Sequence, residues 1–233
     1  MASPSVARRA PRHEVESDDV VMMRAAELAQ WARNNARAVM IATVAVLVAV
    51  GGALYYQVWK SQRAGRASTA YLQVLSTLPQ DTAQAIRTLQ SFSSQYPGTD
   101  EAAEARIAAA QIQLTKGDAA RAVETLRPAA DGSSDLAQNA RYVLGAALAQ
   151  AGKRDEAITT FMDVAGSAKL DYMRRNALNQ AALLREQAND WKGAAELYTQ
   201  MLDGLEKGSG ERALVELHLS EAQAHAGITP AAK

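Results

Sequence analysis

The residues able to do chemistry in this chain are few and scattered. His218 and His225 are the nearest thing to a metal-gripping pair, and they stand seven residues apart. A metal held between adjacent helical turns needs an i, i+4 pair, so the two read as surface or packing residues. The third histidine, His13, lies in a polar tail. Cysteine is absent, which removes disulfides, thiolate metal sites and cysteine nucleophiles. Gly208-Ser209-Gly210 lacks the following Lys-Ser/Thr and the preceding strand of a phosphate cradle. Asp155-Glu156 opens a helix, where paired carboxylates suit the helix dipole rather than acid–base work. No Ser, His and Asp share a recognised nucleophile setting. No catalytic residue, metal or cofactor is expected; an enzyme with an unrecognised site is the weakest alternative. What remains is neutral hydrogen bonding. Gln111, Asn139, Tyr142, Asn176 and Asn179 fall on one face of successive helices. Amides and a tyrosine there suit an extended peptide backbone of any sequence; the alternative is that they are ordinary solvated positions. Arg174-Arg175 reads as a solvated face.

The elements that carry these residues are helical. From Ala67 onward alanine is frequent, aromatics are few, and no period-two alternation of β-branched residues occurs. Breaks come at residues 78–81, 96–99, 116–118, 131–134, 151–153, 189–190 and 207–210, and several end in a good N-cap residue. The clearest unit is LGAALAQAGKRDEAITTF, Leu144 to Phe161. Gly145 lets a second helix pack closely, Gly152 offers a left-handed C-terminal cap, and Ala157 and Phe161 share a face at i, i+4. This resembles a tetratricopeptide repeat. The equivalent alanines are Ala85, Ala122, Ala157 and Ala194, spaced 37, 35 and 37 apart, against 34 in the ideal repeat. Three repeats are expected at about 99–131, 134–168 and 171–206, a degenerate one at about 67–97, and a closing helix at 209–226. The alternative is an irregular helical bundle. Pro128 is expected to shorten or kink its helix.

Ahead of these repeats, residues 38–59 form a run of 22 without a charge. At 1.5 Å per residue it rises about 33 Å, enough for a hydrocarbon core of about 30 Å. Trp31 precedes it and Tyr55, Tyr56 and Trp59 end it, the residue types that sit at headgroup level. Gly51 and Gly52 permit close approach of another helix. The preceding segment is long and carries five carboxylates, unlike the short basic start of a secretory signal. A permanent single span is expected. The alternatives are a cleaved signal, with Gly51-x-Ala53 as its site, and a buried soluble helix. Residues 1–66 hold 9 Lys+Arg against 5 Asp+Glu, and residues 67–233 hold 16 against 20. The acidic second part argues against nucleic acid. Six arginines before the span against three basic residues after it favour the N-terminus inside and the C-terminus outside, although the three nearest on each side balance.

The expected organisation is all-α: a tail at 1–16, a juxtamembrane amphipathic helix at 17–37, the transmembrane helix at 38–59, a tetratricopeptide-like repeat domain at 67–226 and a C-terminal tail at 227–233. This layout, with Asp18-Asp19, Trp31, Asn34-Asn35, the span, the exit Tyr55-Tyr56-Gln57-Val58-Trp59 and Ala67-Ser68-x-x-Tyr71, resembles the YfgM-like family of ancillary SecYEG translocon subunits. The resemblance implies a single-pass protein of the bacterial inner membrane with periplasmic repeats, associated with SecYEG and periplasmic chaperones, and without catalytic residues. The alternative is a structural accessory subunit of another large membrane complex, respiratory or photosynthetic. No small-molecule substrate is evident.

Overall fold

A computed structural model describes residues 15–228. These residues form ten α-helices, with no strand among them: α1 (Val15–Asn34), α2 (Ala36–Ser76), α3 (Thr82–Gln95), α4 (Asp100–Thr115), α5 (Ala119–Ala130), α6 (Asp135–Gln150), α7 (Arg154–Ser167), α8 (Asp171–Gln187), α9 (Trp191–Leu202) and α10 (Gly210–His225). The chain divides into two compact units, one ending at Lys60 and the other beginning at Ser61. The tail expected at 1–16 lies mostly outside the described residues, as do the last five residues.

In the first unit α1 ends at Asn34, and Asn35 turns the chain by donating its side-chain amide to the Trp31 carbonyl at 3.0 Å. The uncharged run of α2 is long and apolar enough to cross a membrane by length and composition, and none of it is buried. Residues 60–66, between the expected span at 38–59 and the expected repeats at 67–226, are helical. Alanine, glutamine and arginine there favour the helix, and only Gly65 opposes it.

In the second unit successive helices pack pairwise from α3 to α10, and α4 also meets α6. Such nearest-neighbour packing is what a solenoid requires. The four register alanines are all buried: Ala85, Ala122, Ala157 and Ala194. Each lies one turn before a buried large residue, namely Leu89, Leu126, Phe161 and Tyr198. The alternating small and large side chains bring the helices together without voids. At Gly145 the fit is tight: a Cβ there would lie 2.8 Å from the Phe161 ring. The first repeat has its own small core, in which Tyr71 and Phe92 lie 5.3 Å apart and Phe92 and Tyr96 5.0 Å. Ring pairs at this distance add to area burial. Pro128 sits inside α5, which ends two residues later at Ala130.

The turns inside three repeats share one geometry. Gly117, Gly152 and Asn189 have φ of 79°, 76° and 60°. The next residue's N–H returns to a carbonyl five back: Asp118 to Gln113, Lys153 to Leu148, Asp190 to Arg185, at 2.9, 2.9 and 2.8 Å. This closes the first helix and aims the second back along it. The second helices α5 and α9 are then capped by Asp118 and Asp190, each accepting from the N–H three residues on. Asp81, Thr99, Ser134 and Ser209 cap α3, α4, α6 and α10 in the same way. The start of α7 has Lys153 in that place, with no side-chain cap.

Candidate functional site

Each repeat has a first helix (the end of α2, then α4, α6, α8 and α10) and a second helix (α3, α5, α7 and α9). The five residues expected to hydrogen-bond a peptide all sit on first helices: Gln111 on α4, Asn139 and Tyr142 on α6, Asn176 and Asn179 on α8. Asn139 and Asn176 are 37 residues apart, as are Tyr142 and Asn179, so each pair occupies one register position in two repeats. Gln111, Asn139 and Asn176 are exposed, and Asn179 is half-buried. None of these four amides has a side-chain hydrogen-bond partner among the described residues, so their donors and acceptors face solvent or a ligand. Tyr142 differs. Its ring meets Phe161 edge-on at 5.4 Å and 66°. Burial raises its pKa, and the nearby Gln180 side chain of α8 opposes that rise. Tyr142 is therefore half-buried against α7, and only part of it is open to a partner.

Several features lay beyond the sequence reading. Arg141 on α6 donates to the carbonyls of Ala130 and Gly132, both at 2.8 Å, where α5 ends. Arg212 on α10 donates to the carbonyls of Leu202 and Leu205 at 3.2 and 3.1 Å, where α9 ends. A guanidinium from the next helix thus satisfies carbonyls that a helix terminus leaves unpaired. The signal for this was a basic residue in the first two turns of the helix after a break. Arg185 and Asp190 pair at 2.6 Å across the turn into α9, and a Cβ on Gly193 would collide with both. Arg174-Arg175 is not a free solvated face: Arg175 is only 19% exposed and pairs with Glu211 of α10 at 2.8 Å.

His218 and His225 each stack on an aromatic ring of α9. His225 lies 4.2 Å from Trp191 at 19°, and His218 lies 5.5 Å from Tyr198 at 17°. The seven-residue spacing of the histidines matches the seven-residue spacing of their partners, so α10 docks on α9 through two rungs. Beneath the lower rung the Tyr198 hydroxyl is buried with no hydrogen-bonding partner. Its pKa is raised by burial first, then by the nearby carboxylates of Glu186 and Glu221. Glu186 is thus close enough to act on it electrostatically, without an oxygen in hydrogen-bonding geometry.

Around the apolar run, Trp31, Tyr55, Tyr56 and Trp59 are all exposed, and Tyr56 and Trp59 stack at 6.2 Å. Trp31 lines an apolar cavity of about 570 Å³ with Ala38, Ala42, Val46 and Leu47 of α2. A Cβ at Gly51 or Gly52 would meet nothing within 4 Å, so that face is open.

The helix pairs, their shared turn and the buried small–large register define an all-helical repeat solenoid, a scaffold for binding other proteins. Residues 29–224 match the tetratricopeptide repeat-like domain family, and the chain belongs to that family. No protein of curated function matches the sequence. Among solved structures, the fold is similar to nearly identical TPR-like repeats from Podosopora anserina, at 15% identity over 72% of this chain and 86% of that one, with a TM-score of 0.53. A tetratricopeptide repeat protein from Parabacteroides merdae is similar at 15% identity over 71% of this chain and 62% of that one, again with a TM-score of 0.53. At such identities the likeness is one of fold.

Proposed function

We propose that this protein is a membrane-tethered interaction module. In this reading α2 fixes the chain in a bilayer, and the first helices of the repeats hold extended segments of partner proteins. The observation that carries it is the contrast between the two units. The apolar run of α2 is fully exposed, whereas the repeat helices from α3 to α9 bury large apolar side chains against one another. A run of that length left in water is an aggregation liability; in hydrocarbon its backbone bonds are already satisfied within the helix. The ring of Trp31, Tyr55, Tyr56 and Trp59 fits the two interfaces. Tethering raises the local concentration of a weak groove near its partners, so a few amide hydrogen bonds suffice.

The arrangement of charged tail, span and repeats supports the finer reading that the resemblance implies. In it the N-terminus faces the cytoplasm of a bacterial inner membrane and the repeats lie in the periplasm. They act as an ancillary part of the SecYEG translocon that meets periplasmic chaperones. The test is a mild-detergent pull-down from native membranes through a C-terminal tag, quantifying what is retained in near-equal amounts. Recovery of SecYEG with periplasmic chaperones is the expected result. Recovery of a different integral complex without SecYEG overturns the translocon assignment and leaves a scaffold role. Recovery of the full chain in the soluble fraction after carbonate washing overturns the tether itself.

A further inference from the structure

A cavity of about 480 Å³ opens on the other side of the repeats, between the second helices α3 and α5 and the end of α4. Arg87 of α3, Lys116 at the end of α4 and Arg121 of α5 line it, against the single carboxylate of Asp118. Arg121 is held by Asp118 at 3.2 Å, while Arg87 and Lys116 have no ion-pair partner among the described residues. This is a local inversion of charge, since residues 67–233 carry 16 basic and 20 acidic side chains. A second observation comes from the cavity wall. Gln113 lines it, is only 3% exposed, and its Oε1 is buried without a hydrogen-bond donor. A buried acceptor without a donor costs about 1–3 kcal/mol, and native proteins rarely leave one so. Gln90 continues the wall into a neighbouring cavity of about 380 Å³, where Arg106 and Glu124 offset one another and the net positive charge stays with Arg87 and Lys116. The trough between α3 and α5 is bridged there by Gln90 and Thr125 at 3.4 Å.

We propose that this trough is a second binding site, for an acidic extended segment of a partner protein. A bare anion meets the charge of Arg87 and Lys116 but brings no amide donor for Gln113. A peptide bearing a carboxylate brings both: the carboxylate for the two cations and a backbone N–H for the amide oxygen, which a turn of the Gln113 side chain in the cavity wall would present to it. The site lies along α3, α5 and the C-terminal end of α4, and none of Gln111, Asn139, Tyr142, Asn176 and Asn179 lines it, so it stands or falls without them.

The test uses the full chain in detergent micelles and follows the acetylation rate of Lys116 with an amine-reactive ester, with Lys192 and Lys207 as internal references. Three probes are compared: acetyl-Ala-Glu-Asp-Ala-amide, the same peptide with Gln and Asn in place of Glu and Asp, and inorganic phosphate. The acidic peptide is expected to slow Lys116 about fivefold, with the references unchanged. Arg87→Gln, an exposed position, is expected to remove most of that protection while leaving the reference rates as they were. No protection by the acidic peptide, or equal protection by the neutral peptide, overturns the proposal. Equal protection by phosphate alone makes the trough a simple anion site and also overturns it. The readout belongs to Lys116, so the result is independent of which complexes the pull-down recovers.

Discussion

At the scale of single residues, the smallest and the most buried carry the tightest constraints. Gly145 faces Phe161, itself buried, so an added methyl must displace a ring that has nowhere to go. Gly145→Ala is expected to cost about 1–3 kcal/mol, the usual range for overpacking, despite alanine's better helix propensity. Chemical denaturation of the full chain followed by circular dichroism measures it, and a stabilised variant contradicts the close approach of α6 and α7. Tyr198 makes the opposite prediction. Its hydroxyl is buried without a hydrogen-bonding partner, so Tyr198→Phe is expected to stabilise by about 1 kcal/mol. The same hydroxyl sets a pH dependence. Tyr71, Tyr142 and Tyr198 all have pKa values raised above the ordinary 10.0, in each case by burial first. Above that value the unfolded chain loses tyrosine protons that the folded chain keeps. Stability is therefore fully present below pH 10 and falls as pH rises through the folded values. Tyr198→Phe is expected to flatten that alkaline loss, which a denaturation series from pH 8 to 11 reads directly. Gly145 and the register alanines were legible in the sequence because a small residue at a fixed offset from a turn has one use in a helix pair. The carbonyl-capping roles of Arg141 and Arg212 were not, because they depend on where the preceding helix ends in space.

At the scale of elements, the repeats are punctuated by backbone geometry that the sequence states plainly. Gly117, Gly152 and the Asp and Ser caps mark where helices stop and start, and the helices end and begin beside them. Two boundaries were harder to read. The break at 168–170 contains neither glycine nor proline, and Leu170 stands at the N-cap of α8 without a side-chain bond. The continuation of α2 through 60–66 follows from good helix formers, which announce no boundary at all. The start of α7 offers a test of the turn argument. Lys153 has φ −87° and ψ 62°, nearly those of Asp118 (−90°, 60°) and Asp190 (−84°, 65°), yet it supplies no cap. Lys153→Asp places a carboxylate where the other two accept from the N–H three residues on. It also gives up the exposed contact with Glu156 at 3.5 Å, worth little. The net expected gain is about 0.5–1 kcal/mol, seen as a higher thermal midpoint. A fall in the midpoint shows that repulsion from Asp155 and Glu156 outweighs the cap.

At the scale of the whole molecule, a solenoid's stability is a chain of neighbour contacts, so its last helix protects everything behind it. The α10 helix covers α9 with Val215 and Ala222 buried and with His218 and His225 stacked on Tyr198 and Trp191. It also brings Glu211 to Arg175 and the Arg212 guanidinium to the end of α9. Its outer face still exposes Leu214 and Leu217. Ending the chain at residue 208 uncovers Tyr198 and unpairs Arg175. Exposing one large side chain costs about 1.5–3 kcal/mol. In a globular core that loss is shared by all residues. In a linear array it falls first on the adjoining pair, because α9 packs chiefly on α8 and α10. Hydrogen exchange of the shortened chain is therefore expected to show backbone protection lost in α8 and α9 by a factor of ten or more, each 1.4 kcal/mol being tenfold, with α3 to α6 nearly unchanged. Uniform loss across all the repeats instead indicates one cooperative unit, in which a partner bound at either end is felt at the other.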